Sequence, residues 1–305
     1  QARRAGIPYV VSGAGNLSDM TYRYRWGGKR NSFLNYLMKK VYHRVFDRLL
    51  LHNAISVHAQ SQNEAEDALK FGARDTFVLP FGMLNEEVPD PGTTPPRSLR
   101  HPMTFAYLGR LSIMHKGLDI IVEAFGKVVE AGFGDRFRLI VAGPSENGSL
   151  EALQQRASEL NIEHIEFPGP VYDADKANVW SKTDVFLHLC RFTGFALTVR
   201  EAMCEGIPVV ATRYSDYGDW VNRFNLGRTV EPEVGGLTEV ILGLLALTDE
   251  SYAQLSRNAM AYVHATRWRE LGRMYANEYA RILTPGGGPQ KEVLFPEEPK
   301  PQAVY

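Results

Sequence analysis

The sequence predicts an α/β protein made of two Rossmann-like, doubly wound domains, of which the first is incomplete. Apolar runs of strand length alternate with helical patterns along most of the 305 residues. This alternation is typical of parallel sheets that helices cover on both faces. A stretch rich in proline and turn-forming residues, EEVPDPGTTPPRSLRHP at 86–102, divides the series in two. The chain opens on GIPYVVSGAG, an interior strand and its glycine turn, so we expect earlier strands of the first domain to be missing.

The first series contains two strands and two helices before a last apolar run. The Pro-rich stretch cannot supply ladder donors or a helical interior, and it therefore predicts an interdomain linker. We expect a partial first domain over residues 1–96 that ends in this linker. Its predicted elements are a strand at 7–12, a helix rich in Lys and Arg at 31–51, a strand at 55–59, a helix at 62–71 and the apolar run TFVLPFG at 76–82.

The second series is more regular and predicts a complete doubly wound domain over residues 97–267. A further helix over 268–284 follows it, and the Pro- and Gly-rich tail 285–305 is predicted to be disordered. The predicted strands are 103–109, 137–143, 164–169, 184–190 and 207–212; the predicted helices are 117–132, 149–160, 173–182, 196–206, 235–247 and 250–264.

Composition excludes several classes of protein. A hydrophobic share of 44% with 23% charged residues is that of an ordinary folded chain. The formal net charge of −1 provides no global attraction to nucleic acid. Cys190 and Cys204 lie in apolar patterns without metal-binding spacing, which favours a reducing cytosol. No apolar run approaches the roughly 18 residues of a membrane span, and no secretion signal is present at the start of the chain.

The first candidate site is the segment LGRLSIMHKGLD at 108–119, where a strand ends and a helix begins. Gly109 allows a tight turn, and Arg110 and Lys116 project from the loop. Ligands of open α/β sheets bind at the carboxyl ends of the strands. A forked guanidinium and a compact ammonium are suited to neutralising a diphosphate. The alternative is that both are ordinary solvated cations of a surface loop.

The second candidate site is CRFTGFALTVREAMCEGIPVVAT at 190–212. Thr193 and Gly194 predict a turn into a helix that begins near Ala196. The amides of residues 195–198 would then lack partners within the helix, and such a helix start binds anions. Glu201, further along, could accept hydrogen bonds from ribose hydroxyls. Its alternative is a surface carboxylate, although the apolar residues around it favour a more enclosed helix.

These two segments, in this order, resemble the retaining nucleotide-sugar glycosyltransferases of family four, also called group one, which have the GT-B fold. The resemblance covers nearly the whole chain and is most specific in YLGRLSIMHKGLDIIVEAF and TGFALTVREAMCEGIPVVAT. It implies transfer of a sugar from a nucleoside-diphosphate donor, with the last helix returning to the first domain. It also implies roles for the following residues: Arg110, Lys116 and Glu201 in catalysis; Gly109, Gly169, Val171, Thr193, Gly194, Phe195, Ala196, Leu197 and Glu201 in donor binding; and Gly13 and Gly15 on the acceptor side.

The sequence departs from the family pattern at several positions. The family usually carries a glutamate eight positions before Glu201, next to the transferred sugar, and this chain has Thr193 there. A histidine common after the first strand is replaced by the loop Gly13 to Gly15, the usual Asn of the first domain's last loop is Phe81, and a usual Ser is Cys190. We therefore keep two functions open: a retaining transferase, and a catalytically weakened nucleotide-sugar binder or scaffold.

Two remaining patterns bear on cofactors and partners. The eight histidines are scattered without metal-binding spacing, so we expect no metal and no cofactor besides the substrate. The basic run at 23–48 has aromatic residues at near-helical intervals. An ordinary amphipathic helix with a solvated cationic face explains it, and a surface for lipid headgroups or an anionic acceptor is the alternative. The family's usual roles suggest assembly of a polysaccharide, lipopolysaccharide or glycolipid by a cytoplasmic enzyme, peripheral at the inner face of the membrane.

Overall fold

The computed structural model describes residues 5–13, 33–84, 88–191, 196–213 and 215–284. These residues form two compact units. The first contains residues 5–13, 33–84 and 265–284, and the second contains residues 88–191, 196–213 and 215–264. Both units combine helices with parallel strands, which confirms the predicted fold class.

The first unit has a three-stranded parallel sheet in the order β1-β2-β3. All four residues of β2 are buried, as expected for a central strand. Ser61 begins the helix after β2 by accepting a hydrogen bond from the Glu64 amide at 3.1 Å. The elements are β1 (Val10–Ser12), α1 (Phe33–Tyr42), a π-helical turn (His43–Asp47), α2 (Arg48–Asn53), β2 (Ser56–Ala59), α3 (Gln62–Lys70) and β3 (Thr76–Val78).

The second unit has a six-stranded parallel sheet in the order β6-β5-β4-β7-β8-β9. Its strands are β4 (Met103–Leu108), β5 (Phe137–Ala142), β6 (Ile165–Gly169), β7 (Val185–His188), β8 (Val209–Thr212) and β9 (Gly227–Val230). Its helices are α4 (Ile113–Lys116), α5 (Leu118–Glu130), α6 (Ser149–Glu159), α7 (Asp173–Lys182), α8 (Leu197–Cys204), α9 (Gly218–Arg223), α10 (Val234–Leu245) and α11 (Asp249–Ala265). The strand order runs outward from β4 in one direction and from β7 in the other, which is the doubly wound arrangement.

The stretch predicted as a linker packs on the second unit from Arg97 onward. The Arg97 amide donates to Ser256 Oγ at 2.9 Å. Its guanidinium donates to the carbonyls of Trp180, Ser181 and Thr183, at the end of α7. A cation at the last carbonyls of a helix satisfies groups that have no partner within the helix. The segment therefore caps the C-terminal end of α7.

The last helix, α12 (Trp268–Leu283), belongs to the first unit. Leu271 and Ile282 pack against Phe77 and Leu79 at β3. His58 of β2 contributes a polar contact there: its Nε2 lies 2.8 Å from the Leu79 carbonyl and 2.8 Å from the Tyr275 hydroxyl. Burial lowers the pKa of His58, so a neutral imidazole joins the sheet to the helix.

Candidate functional site

The candidate site lies where the strand order of the second unit reverses, at the carboxyl ends of β4 and β7. Loops that leave two neighbouring strands toward opposite sides of the sheet open a crevice between them, and ligands of α/β proteins bind there. The loop after β4 carries Arg110 and Lys116. The loop after β7 leads to α8 and Glu201.

The backbone of the first loop is fixed against the loop after β5. The Gly109 amide donates to the Ala142 carbonyl at 3.0 Å, and the Leu111 amide donates to the Pro144 carbonyl at 2.8 Å. A Cβ atom at Gly143 would lie 1.8 Å from the Gly109 carbonyl oxygen, so only glycine permits this approach. The buried Tyr107 hydroxyl donates to the Arg110 carbonyl at 2.8 Å. The backbone that carries Arg110 is therefore held on both sides.

Lys116 ends the short helix α4 and precedes Gly117, whose φ is +64°. A Cβ atom at Gly117 would lie 2.3 Å from the Leu189 carbonyl oxygen, next to the end of β7. The left-handed turn therefore places Lys116 beside that strand end and then starts α5. A helix was predicted from 117, and the additional turn at α4 was missed because four residues are too few to show a helical period.

Two histidines near these cations have lowered pKa values. Burial and the nearby charges of Lys116 and Arg110 lower the pKa of His115 to about 4. Burial and the charge of Lys116 lower the pKa of His188, at the end of β7, to about 3. Both rings are therefore neutral near pH 7. Lys116 contributes to the lowered pKa of both rings and Arg110 to that of His115, so both cations act on His115.

The loop after β7 is joined to the loop after β4. The Arg191 amide donates to the His115 carbonyl at 3.0 Å, and its guanidinium makes two contacts with Asp119 at 2.8 and 2.7 Å. Cys190, in the place of the family's serine, is buried, and its carbonyl accepts from Thr212 Oγ1 at 2.7 Å. This burial agrees with its predicted role as a small apolar residue.

The helix α8 starts at Leu197, with Ala196 as the preceding cap residue in an extended conformation. The Ala196 carbonyl accepts from the Tyr217 hydroxyl at 3.0 Å, which fixes the entry to the helix. Leu197 is exposed. The predicted donor-binding residues Thr193, Gly194 and Phe195 lie outside the described residues.

Glu201 is three-quarters buried, with 25% of its side chain exposed. Its Oε1 accepts from Lys176 Nζ of α7 at 3.1 Å, and its buried Oε2 has no hydrogen-bond partner. A carboxylate oxygen that is buried without a donor costs free energy, which a ligand hydroxyl could recover. This environment is not that of the solvated helix carboxylate considered above. Sequence reasoning missed Lys176, because its partner lies 25 positions away on another helix.

The remaining predicted positions are distributed over both units. Gly169 ends β6 with φ +78°, and its carbonyl accepts from the Gly143 amide at 2.8 Å. Val171 follows it and is partly exposed. Gly13 is buried after β1 in the first unit, whereas Gly15 is not among the described residues. In the described part of the chain, no group of three or more His, Cys, Asp or Glu residues could hold a metal ion, and no helix is long and apolar enough to cross a membrane.

Comparison with known proteins finds a family match within the second unit. Residues 102–247 match the model for "Glycosyl transferases group 1". The mannosylfructose-phosphate synthase of Agrobacterium fabrum is 33% identical over 110 residues, which are 34% of this chain and 24% of that protein. The phosphatidyl-myo-inositol mannosyltransferase of Mycolicibacterium smegmatis is 28% identical over 190 residues, or 61% of this chain and 47% of that protein.

This chain thus spans about a quarter and about half of the length of these two relatives. Among solved structures, Anabaena HepE in complex with UDP and glucose superposes with a TM-score of 0.68 at 21% identity, covering 92% of this chain and 73% of that one. The chain shares the GT-B fold with this structure, and its second unit contains the segment that matches the group 1 glycosyl transferase family.

Proposed function

We propose that this protein transfers a sugar from a nucleoside-diphosphate donor to a hydroxyl acceptor with retention of anomeric configuration. The observation that carries the proposal is that the loop with Arg110 and Lys116 lies at the strand-order reversal, where the His115 carbonyl accepts from the Arg191 amide after β7. Glu201, which has one oxygen without a hydrogen-bond partner, lies on α8, the helix that follows β7. The relatives named above are a mannosylfructose-phosphate synthase and a mannosyltransferase, and HepE is in complex with UDP and glucose.

In this proposal the nucleoside diphosphate is the leaving group, and its negative charge grows as the bond to the sugar breaks. Arg110 and Lys116 stabilise that charge together with the amides at the start of α8. Glu201 binds the ribose. The acceptor hydroxyl attacks the face from which the diphosphate leaves, so the configuration is retained. The two side-chain cations take the part that a metal ion plays in other transferases, and we propose a metal-independent reaction.

The transfer reaction is tested by nucleoside-diphosphate release. We expect the chain, supplied with UDP-, GDP- and ADP-sugars in turn and a panel of glycan and lipid acceptors, to release nucleotide from one donor. Lys116→Ala should abolish release without lowering the melting temperature. Absence of release and of nucleotide binding with every donor would contradict the proposal.

One sequence position favours a second candidate function, a catalytically weakened nucleotide-sugar binder or scaffold. Thr193 stands where the family carries a carboxylate, and a hydroxyl cannot take over that charge. The two functions differ in turnover. Calorimetric binding of a donor without any transfer, and no gain of transfer in Thr193→Glu, would favour the binder over the enzyme.

The acceptor, we propose, is a growing polysaccharide, lipopolysaccharide or glycolipid reached at a membrane surface. Support comes from the segment 33–50 of the first unit, where large apolar side chains face solvent on successive turns. Lys40, Arg44 and Arg48 lie among them, against one acidic residue, Asp47. Cations interleaved with apolar side chains complement anionic headgroups over acyl chains. The exposed apolar residues are Phe33, Leu34, Leu37, Met38, Val41, Tyr42, Val45, Phe46, Leu49 and Leu50.

Vesicle binding tests this surface. We expect the chain to sediment with phosphatidylglycerol vesicles and much less with phosphatidylcholine vesicles. Arg44→Glu and Phe46→Ser should each reduce the bound fraction, whereas Lys182→Glu, an exposed position of the second unit, should not. If Phe46→Ser instead converts a dimer to a monomer in light scattering, without vesicle binding in either protein, the surface joins two copies and the membrane proposal is wrong.

A further inference from the structure

Arg110, the cation proposed to bind the donor diphosphate, is already paired with a carboxylate of its own chain. Its Nη1 lies 2.5 Å from Oε1 of Glu146, which is in the loop between β5 and α6. The side chains are 36% and 27% exposed, so the pair is near the surface but partly shielded from water. A ligand that needs the charge of Arg110 must therefore compete with an anion that the fold supplies.

The backbones of the two residues cannot move apart to release the pair. Leu111 and Ser145 form an isolated parallel bridge between the two loops. The Glu146 amide is 3.3 Å from the Leu111 carbonyl, and the Glu146 carbonyl accepts from both the amide and the hydroxyl of Ser149. Both backbones are held, so the pair separates by rotation of a side chain, either that of Glu146 or that of Arg110.

Only one of the two carboxylate oxygens of Glu146 has a hydrogen-bond partner. Glu146 Oε2 is buried and makes no hydrogen bond. A buried acceptor without a donor loses its hydration and gains nothing in return, so the paired state carries a penalty that rotation into water would remove. The neighbouring loop residues Pro144, Ser145, Asn147 and Gly148 are exposed, so the rotated side chain has solvent to enter.

We propose that Glu146 sets the affinity for the donor by occupying Arg110 in the empty site, and that the donor's diphosphate displaces it. This inference rests on the proposed function. A diphosphate carries at least two negative charges to the carboxylate's one and meets Lys116 as well, so it wins the exchange. The displacement consumes part of its binding energy. Glu146 thereby keeps the affinity for the donor, and for the nucleotide product that must leave, below what the cations alone would give.

Calorimetric titration with UDP, GDP and ADP tests the proposal on the whole chain. Glu146→Gln keeps the size of the side chain and removes its charge, and we expect it to bind the nucleotide about tenfold more tightly. Glu151→Gln, an exposed position of α6, is the control for a change in net charge and should alter affinity less than twofold. In an Arg110→Ala background the gain from Glu146→Gln should shrink at least threefold, because the competition is then gone.

The outcomes separate this inference from the proposed function. If the unchanged chain binds a nucleotide and Glu146→Gln binds it equally or more weakly, Glu146 supports Arg110 rather than competing for it, and the inference is wrong. A gain that persists in full without Arg110 also overturns it, since general repulsion then explains the effect. If neither protein binds any of the three nucleotides, both the inference and the proposed function fail.

Discussion

At the scale of single residues, the two cations of the first loop differ in how they are held. Arg110 is paired with Glu146, whereas the position of Lys116 is fixed by the turn at Gly117. We predict that Lys116→Ala weakens binding of the preferred nucleoside diphosphate by about 1.5 to 3 kcal/mol, the range for hydrogen bonds to charged groups. Calorimetry measures this change.

The matched control is Lys127→Ala. Lys127 is an exposed lysine of α5 that pairs with Glu130 at 2.7 Å. Its removal lowers the net charge equally but should leave nucleotide affinity within twofold. An equal loss in both variants would show that Lys116 acts only through the overall charge of the unit.

His188 makes stability depend on pH. An unfolded histidine takes up a proton below about pH 6.5, whereas folded His188 has its pKa lowered by burial to about 3. The unfolded state therefore binds more protons as the pH falls, and we predict that the free energy of unfolding decreases below pH 6.5 by up to about 1.4 kcal/mol per pH unit from this residue.

Urea unfolding between pH 7.5 and 5 measures the effect. His188→Phe removes the titrating group, so its slope below pH 6.5 should be smaller by about that amount, whatever its stability at pH 7.5. Equal slopes in both proteins would mean that His188 does not stay neutral in the folded state. His115, with a pKa lowered to about 4, contributes in the same direction and remains in both proteins.

Sequence reasoning identified the residues that lie in local motifs and missed their partners. Arg110, Lys116 and Glu201 each lie in one of the two segments that sequence reasoning selected. Glu146 and Lys176 lie outside those segments and meet their partners across 36 and 25 positions of chain. Such pairs depend on which strands and helices are neighbours, and no local periodicity contains that information.

At the scale of elements, strands within continuous apolar runs were predicted, and a strand without such a run was not. All six residues of β4 are buried, and this run was predicted at 103–109. The helix α9 and the strand β9 were missed. Only four residues long, β9 is an edge strand of sequence GRTV in which Arg228 is exposed, so neither an apolar run nor alternation marks it. An edge strand is recognisable only once its neighbour β8 is in place.

The turn between α4 and α5 gives a prediction at the same scale. Gly117→Ala puts a Cβ atom against the Leu189 carbonyl as well as forcing alanine into a left-handed conformation. Gly132→Ala, at φ +84° with nothing within 4 Å, has the conformational strain alone. We predict a loss of about 1 kcal/mol in the free energy of unfolding for Gly132→Ala and about 3 kcal/mol or more for Gly117→Ala.

Urea unfolding of the two variants, followed by nucleotide titration of each folded protein, separates stability from function. Gly117→Ala should also weaken nucleotide binding, because the neighbouring Lys116 moves, whereas Gly132→Ala should not. Equal destabilisation of the two would mean that the loop after β4 can shift away from β7 at little cost.

At the scale of the whole molecule, the two units differ in the sheets and surfaces that they contain. The second unit contains a full doubly wound sheet and every described residue proposed to bind the donor. The first contains a three-stranded sheet, the exposed apolar segment 33–50 and the returning helix α12. Composition and periodicity sufficed to predict the α/β fold class, because each sheet buries its own strands. The sequence alone did not predict which segment packs on which unit. The contact of Arg97 with the end of α7 is an example.

This division predicts where a nucleotide stabilises the protein. A ligand that binds only the folded state, present at a hundred times its dissociation constant, adds about 2.7 kcal/mol to the stability of the part that binds it. Hydrogen exchange followed by mass spectrometry should therefore show that the preferred nucleoside diphosphate slows the amides of β4 and β7 by up to about a hundredfold. The amides of β2 and β3, in the first unit, should exchange as before, because none of the described residues proposed to bind the donor lies there. Equal slowing in both units would contradict a donor site confined to the second unit, and slowing in the first unit alone would place the nucleotide elsewhere.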